Sequence, residues 1–377
     1  MGSQQLQPGL SGGAWLPLSL SQREVWLDQR AWPGSEHLNI GGTGFLLGEL
    51  DVDCLERALQ GLVDECEALR LVPQADGRQR LLAQYRAPLE RVDLRGSAAS
   101  GEDMLETLRA YGQRRIAEPF AQGERPPWRF LLLIGGERLH GLSIQFHHTV
   151  MDGWGTSQVI RRWSEWYGAL RQGRVPEPGG RPGAYQAFIA ASLDYRRSEA
   201  FQRDAQFWAG QFAAHQEALA TPLLERRHGP PTPARLPAAH LVRQPLPRAA
   251  YVQTGARLAA QGHTVAGALL AALLVYFWRC SGRAQLVVGL PSLNRSGALN
   301  KQLPGMFVGL MALPLACRPE QQGGELLARL GAQVGAALRH ARYPLSELAQ
   351  QLQLLRLGRD AVADVLLSME RQDYEVG

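Results

Sequence analysis

Lysine is almost missing from this chain. Lys301 stands alone among 40 basic residues, and the rest are arginine. Those arginines are spread through helical stretches with acids among them. The net charge of +5 therefore gathers into no basic run of the kind that tracks a nucleic-acid backbone, and no nucleic-acid partner is expected. Cysteine is scarce as well: Cys54, Cys66, Cys280 and Cys317 are scattered without a CxxC pair, which points to no metal site and no redox site. Cys66 lies on the apolar stripe Leu55, Ala58, Leu59, Leu62, Val63, where a packed thiol is expected. Long hydrophobic runs are absent too. The longest, Val265 to Trp278, has 14 residues, short of the roughly 18 that would span a bilayer, and reads as a buried helix with no membrane role. Met1 to Leu16 offers Gly, Ser, Gln and Pro where a signal peptide would need a basic patch and an apolar stretch, so a cytoplasmic location is expected.

What is present is enough for a folded protein. Hydrophobic residues make up 45% and charged residues 20% of 377 positions, outside the range of disordered chains and long enough for two domains of about 150 to 200 residues. Ser21 and Glu24 have capping-box spacing and predict a first helix. A second is expected from Asp53, and Ile40 to Leu47 reads as a strand. Arg129 to Ile134, the pair Gly135 and Gly136, and Leu139 to His148 predict a hairpin, followed by a helix through Val159, Trp163, Trp166, Tyr167 and Leu170. The stretch from Gln172 to Gly183, rich in proline and glycine, predicts a connection between domains 1–177 and 178–377. Beyond it, helices are expected at 184–196, 201–212, from Thr264 and at 325–340, with a Pro-rich loop near Gly229 to Pro247. A strand is expected at Leu286 to Leu290, with a further apolar segment at Met306 to Leu315.

The strongest local signal is Phe146-His147-His148-Thr149-Val150-Met151-Asp152-Gly153-Trp154, at the end of the hairpin's second strand. Side chains alternate across a strand. Leu142, Ile144, Phe146 and His148 therefore share one face, and Ser143, Gln145 and His147 share the other. The two imidazoles point apart and cannot both bind one metal, and no third ligand follows at zinc-like spacing. A histidine at a strand end suits acyl transfer, because an amine attacking a thioester must lose a proton that a neutral imidazole can accept or hold in line. His148 is the candidate for that role. His147 is expected to hydrogen-bond inward and brace the loop, and Asp152 to serve as a buried salt-bridge partner rather than a base.

The HHxxxDG string resembles that of the condensation domains of nonribosomal peptide synthetases, and the resemblance runs along nearly the whole chain. Leu18-Ser19-Leu20-Ser21-Gln22-Arg23-Glu24-Val25-Trp26 is similar to the family's opening motif and Glu67-Ala68-Leu69-Arg70 to its second. Tyr185-Gln186-Ala187-Phe188 with Phe207-Trp208 resembles the fourth, Pro304-Gly305-Met306-Phe307-Val308 the fifth and Tyr343-Pro344 the sixth. The resemblance implies an α/β fold of two chloramphenicol-acetyltransferase-like lobes in a V-shaped pseudo-dimer, with HHxxxDG in an active-site tunnel between them. Donor and acceptor carrier domains would present substrates there on phosphopantetheine arms, with no permanently bound cofactor, as part of a larger synthetase. Carried over residue by residue, His148 is the catalytic histidine and Asp152 pairs with an arginine. Arg295 is the favoured partner and Arg70 the alternative. Gly153 leaves room beside the imidazole, and its N–H is placed to hold a developing oxyanion.

Some positions depart from the family pattern. Gly155 stands where serine is usual, Gly309 where asparagine is usual, and Cys66 replaces a histidine. After Leu366 to Arg371 family members continue through further strands and a last helix, so a second lobe without them is expected. The chain carries no adenylation-type phosphate loop and no carrier motif with a modifiable serine. Trp26 to Gln29, Asn39 to Gly42 and Ser368 to Tyr374 resemble starter-type domains, which accept a non-amino-acid acyl donor. The competing readings are an ester-forming or epimerising relative and a catalytically silent module that docks a carrier.

Overall fold

The computed structural model describes residues 13–370 except 99, 122, 178, 180, 216, 221–238, 319 and 360. From the N-terminus, β1 (Gly13–Pro17) leads into α1 (Leu20–Ala31) and then β2 (Asn39–Leu47) and α2 (Val52–Glu65). The helix α1 is capped two residues earlier than the spacing of Ser21 and Glu24 predicts. The Ser19 hydroxyl accepts from Gln22 N–H, and the Gln22 side chain accepts from Ser19 N–H. That frees Glu24 for a distant partner. Asp51, not Asp53, caps α2, whose stripe of Leu55, Ala58, Leu59, Leu62 and Val63 is fully or nearly fully buried.

Three short strands follow, β3 (Leu71–Pro73), β4 (Arg78–Leu82) and β5 (Leu89–Asp93), then α3 (Gly101–Ile116). None of these four stands out in the sequence. The strands are brief, and β4 and β5 carry arginines, while α3 buries only Met104, Leu108 and Gly112, so the period is faint. The predicted hairpin is β6 (Trp128–Ile134) and β7 (Leu139–His147). It sits at the centre of a sheet ordered β2-β7-β6-β5, while β1, β4 and β3 form a small sheet of their own. Every residue of β6 up to Leu133 is buried because both faces are covered. Phe130 and Leu132 join Ile144 and Phe146 beneath α2 and α4 (Gly153–Arg171), and Leu131 and Leu133 pack against Met104 and Leu108 of α3.

The connector carries no helix or strand among its described residues between Arg171 and Ala184. The next helix, α5 (Ala184–Arg196), packs on the first core through Ala184, Tyr185 and Ile189. Its N-cap, Gly183, has no side chain to offer, so Glu67 takes its place by accepting from the N–H groups of Gly183 (2.9 Å) and Tyr185 (3.0 Å). A second core begins with α6 (Glu199–Ala213) and α7 (Glu217–Ala220). The expected Pro-rich loop lies largely outside the described residues, and α8 (Arg248–Ala259) follows it. Thr264 caps α9 (Val265–Ser281) as expected, and β8 (Gln285–Ser292) leads to a short helix, α10 (Gly297–Gln302).

The apolar segment from Met306 divides in two. Residues 303–308 cross back to the first core, where Leu303 and Phe307 are buried, and only then does β9 (Gly309–Ala316) pair antiparallel with β8. The helices α11 (Gly323–Leu338) and α12 (Leu345–Gln351) and the two-residue β10 (Val365–Leu366), parallel to β8, complete the second unit. Two cores, each a sheet covered by helices, thus meet along the crossing segment and the end of β7. No helix among the described residues is long and apolar enough to cross a membrane.

Candidate active site

The end of β7 delivers the two histidines to different surroundings, as strand alternation requires. His147 is buried on the α3 side, with Nδ1 accepting from Thr149 N–H (3.2 Å) and lying 2.8 Å from Thr149 Oγ1. Its Nε2 lies 2.8 Å from Gln29 Oε1, and the Gln29 amide nitrogen already donates to Trp32 and Ser35 carbonyls. Gln29 therefore presents its oxygen, which places the His147 proton on Nε2. Burial pushes this imidazole down to about 4, with like-charge repulsion from His148 and His37 adding to the effect. A neutral, fully hydrogen-bonded His147 pins the loop that follows. The same loop is held from the other side, where Gln22, paired reciprocally with Gln79, donates to Thr149 O (2.9 Å). Sequence reasoning misses this Gln22–Gln79 brace because its members stand 57 residues apart.

His148 is half-buried and lines a cavity of about 690 Å³ between the two cores. Its backbone N–H donates to Leu38 O (2.9 Å), which anchors the strand end, and its buried Nδ1 has no hydrogen-bond partner among the described residues. No carboxylate among them orients this imidazole in the manner of a Ser-His-Asp triad.

Asp152 is engaged elsewhere. Its Oδ2 accepts from Arg295 Nη1 (2.7 Å), Phe307 N–H (2.9 Å) and Val308 N–H (3.1 Å), and its Oδ1 accepts from Arg295 Nη2 (3.0 Å) and, as the α4 N-cap, from Gly155 N–H (2.7 Å). Both side chains of the pair are wholly buried. Arg295 also donates to Gly305 O (3.1 Å), and its guanidinium carbon lies 4.1 Å from the centre of the Phe307 ring. Asp152 thus meets Arg295, the favoured partner. Arg70 does not approach it: that guanidinium is spent on the carbonyls of Val63 (2.7 Å), Asp64 and Leu82 (3.1 Å) at the foot of α2, which corrects its candidacy as the Asp152 partner.

Gly153 opens α4, so its N–H is among those the helix itself leaves unpaired, at the positive end of the helix dipole. A Cβ there would approach only the Glu370 carboxylate, at 3.7 Å, so the space beside the residue is open. Gly155 is the opposite case. A Cβ would come within 2.6 Å of Met151 Sδ and 2.8 Å of Gly305 N, so the serine usual at this position has no room in this chain. Gly305 itself has φ +148°, and its Cβ would lie 2.3 Å from a Tyr185 ring carbon. The Tyr185 hydroxyl donates to Met306 O (3.0 Å) and accepts from Met306 N–H (3.1 Å), holding the crossing segment in place. Trp154 adds a link between the cores by donating to Lys301 O (2.7 Å). The Ser368–Tyr374 motif is described only to Glu370, and those residues line the His148 cavity.

Two α/β cores that meet at a cavity with His148 in its wall, stapled by a buried ion pair, match the paired-lobe class of acyltransferase-type folds. Within that class the chain belongs to the condensation domain family, whose model matches residues 14–375. It is similar to tyrocidine synthase 3 of Brevibacillus parabrevis, at 26% identity over 375 residues, covering 98% of this chain and 5% of that protein. The dimodular nonribosomal peptide synthase of Bacillus subtilis (strain 168) is 26% identical, with 90% of this chain and 14% of that protein covered. The chain therefore spans a small fraction of these curated relatives. Among solved structures, the first condensation domain of the calcium-dependent antibiotic synthetase, in complex with a substrate analogue, superposes with TM-score 0.78 at 26% identity, covering 94% of this chain and 80% of that one. The starter condensation domain of rhizomide synthetase RzmA, in complex with C8-CoA, gives TM-score 0.77 at 23% identity over 94% and 77%, a likeness of fold.

Proposed function

We propose that this domain forms an amide bond between a carrier-bound acyl thioester donor and a carrier-bound aminoacyl acceptor, as a starter, N-acylating step in nonribosomal peptide biosynthesis. The observation that carries the reading is the division of labour in the HHxxxDG loop: His147 and Asp152 are saturated with structural hydrogen bonds, while the His148 side chain lines the cavity with an Nδ1 that has no partner among the described residues. A silent docking module has no use for that contrast.

In the proposed reaction the acceptor amine attacks the thioester carbonyl, the C–N bond forms and the C–S bond breaks. His148 positions the amine or takes its proton, the Gly153 N–H faces the developing oxyanion, and the released thiol remains on the donor carrier. Asp152 and Arg295 keep the loop in shape. The two cores support two lobes, 1–177 and 178–377, with α5 docked back on the first. Donor and acceptor carrier domains of a larger synthetase are the proposed partners. Intact-protein mass spectrometry of candidate loaded carriers mixed with the domain tests the function. The acceptor carrier should gain the donor's acyl mass, and the absence of transfer from every pair, with carrier binding retained, would establish a docking module instead.

A further inference from the structure

The apolar run that reads in the sequence as a buried helix becomes α9, and α9 is largely uncovered. Only Leu270, Ala271 and Leu274 of its 17 residues are buried, and these join the second core. Leu269 and Tyr276, two turns apart on another side of the helix, are exposed, Tyr276 to 60%. A helix that is apolar all round belongs where every side is covered, so this outer stripe calls for a partner. The adjoining α8 buries no residue at all. Its Gly255 meets the start of α9, where a Cβ would come 3.5 Å from Val265, while Tyr251 and Val252 are exposed. The segment before it, 239–247, belongs to no helix or strand and exposes Val242 to 87%, with Leu246 also exposed.

Charge on α8 and α9 has one sign. Between Glu225 and Glu320 the sequence holds no aspartate or glutamate, whereas α8, α9 and the segments beside them carry Arg243, Arg248, Arg257, Arg279 and Arg283. Two copies of such a face would set arginine against arginine, which disfavours a second copy of this chain and favours an acidic partner. A peptide backbone is also called for. β10 ends the sheet ordered β10-β8-β9, so one of its edges lies outside the sheet, and Leu366 on it is exposed. The carboxylates beside β10 are engaged, Asp364 accepting from Arg359 (2.9 Å) and Glu370 from Ser368 (3.2 Å). Leu367 to Met369, which follow β10, line the His148 cavity together with Ala266 and Leu270 of α9, so the outer edge and α9 lie on one side of the second unit. A lipid surface cannot pair with a strand edge, whereas an extended peptide can.

We propose that α8, the outer stripe of α9 and the outer edge of β10 form a docking surface for an acidic polypeptide segment in extended conformation. The segment adds beside β10 as a strand, lays alternate apolar side chains on the helices, and keeps its carboxylates within the field of the five arginines.

The test is fluorescence anisotropy of the full chain with a labelled twelve-residue peptide of alternating valine and glutamate. Beside it run a peptide of alternating valine and lysine and a fully N-methylated copy of the first. The glutamate peptide should bind about tenfold more tightly than either, and its affinity should fall as salt is raised. Tyr276→Ser and Leu269→Ser remove exposed side chains, so both variants should fold, which circular dichroism verifies. Each should weaken the glutamate peptide about five- to tenfold. No binding of that peptide, equal binding of the lysine or N-methylated peptide, or serine variants with the parent's affinity would each overturn the proposal. Sedimentation velocity and flotation with phosphatidylglycerol vesicles examine the other occupants. A dimer, or vesicle binding, that Tyr276→Ser abolishes while the glutamate peptide fails to bind would assign the face to a second copy or to a lipid surface and overturn the proposal as well.

Discussion

Replacing Asp152 with alanine should separate a structural carboxylate from a catalytic one. The substitution leaves the Arg295 guanidinium buried and unpaired, which costs about 3–5 kcal/mol. It also removes the α4 N-cap, worth about 1 kcal/mol, and strips the Phe307 and Val308 N–H groups of their acceptor. A loss of about 5 kcal/mol in all corresponds to a melting temperature lower by roughly 6 °C for a cooperative unit of 377 residues. Arg295→Met should cost less than Asp152→Ala, because Asp152 would keep its three backbone N–H donors while only the guanidinium is lost. The assay is thermal melting by circular dichroism alongside single-turnover product formation with both carriers loaded, so that slow docking is not mistaken for slow chemistry. Activity lost with the melting temperature unchanged to within about 2 °C would refute the staple and place Asp152 in the chemistry.

For His148→Ala, melting should match the parent while single-turnover product formation falls roughly 10² to 10⁴-fold, and an unchanged rate would remove His148 from the mechanism. For His147 the sign follows from its depressed folded-state value. The unfolded imidazole takes a proton near 6.5 and the folded one only near 4, so the stability it contributes is present above about 6.5 and is lost as pH falls through 4. That contribution is about 3 kcal/mol, and His147→Gln should melt with a flatter pH dependence across this window; parallel curves for the two proteins would contradict it. Gly305→Ala, forced to φ +148° with its Cβ against Tyr185, should lower soluble yield and melting temperature while Gly331→Ala leaves both intact; equal melting of the two would show that the crossing segment yields freely.

Reading the sequence goes furthest where signals are local. Strand alternation alone sends His147 and His148 to opposite faces, and the hairpin, α4, α5 and α9 follow from periods and caps written in consecutive residues. The α1 cap falls two residues from its expected place because Ser19 and Ser21 both lie at plausible spacing, and only the reciprocal bonds with Gln22 distinguish them. Glu24, released from that role, accepts from the N–H and hydroxyl of Ser346 at the start of α12, and burial pushes its carboxyl upward.

By itself, then, the sequence determined the α/β character, the two histidine faces and the motif that marks the family, because each depends on side chains a few positions apart. Which arginine answers Asp152, where α5 docks, the crossing of 303–308 into the first core and the apolar character of the His148 cavity were decided only in three dimensions. Each depends on residues far apart in the chain. Such separation leaves no periodic mark in the chain.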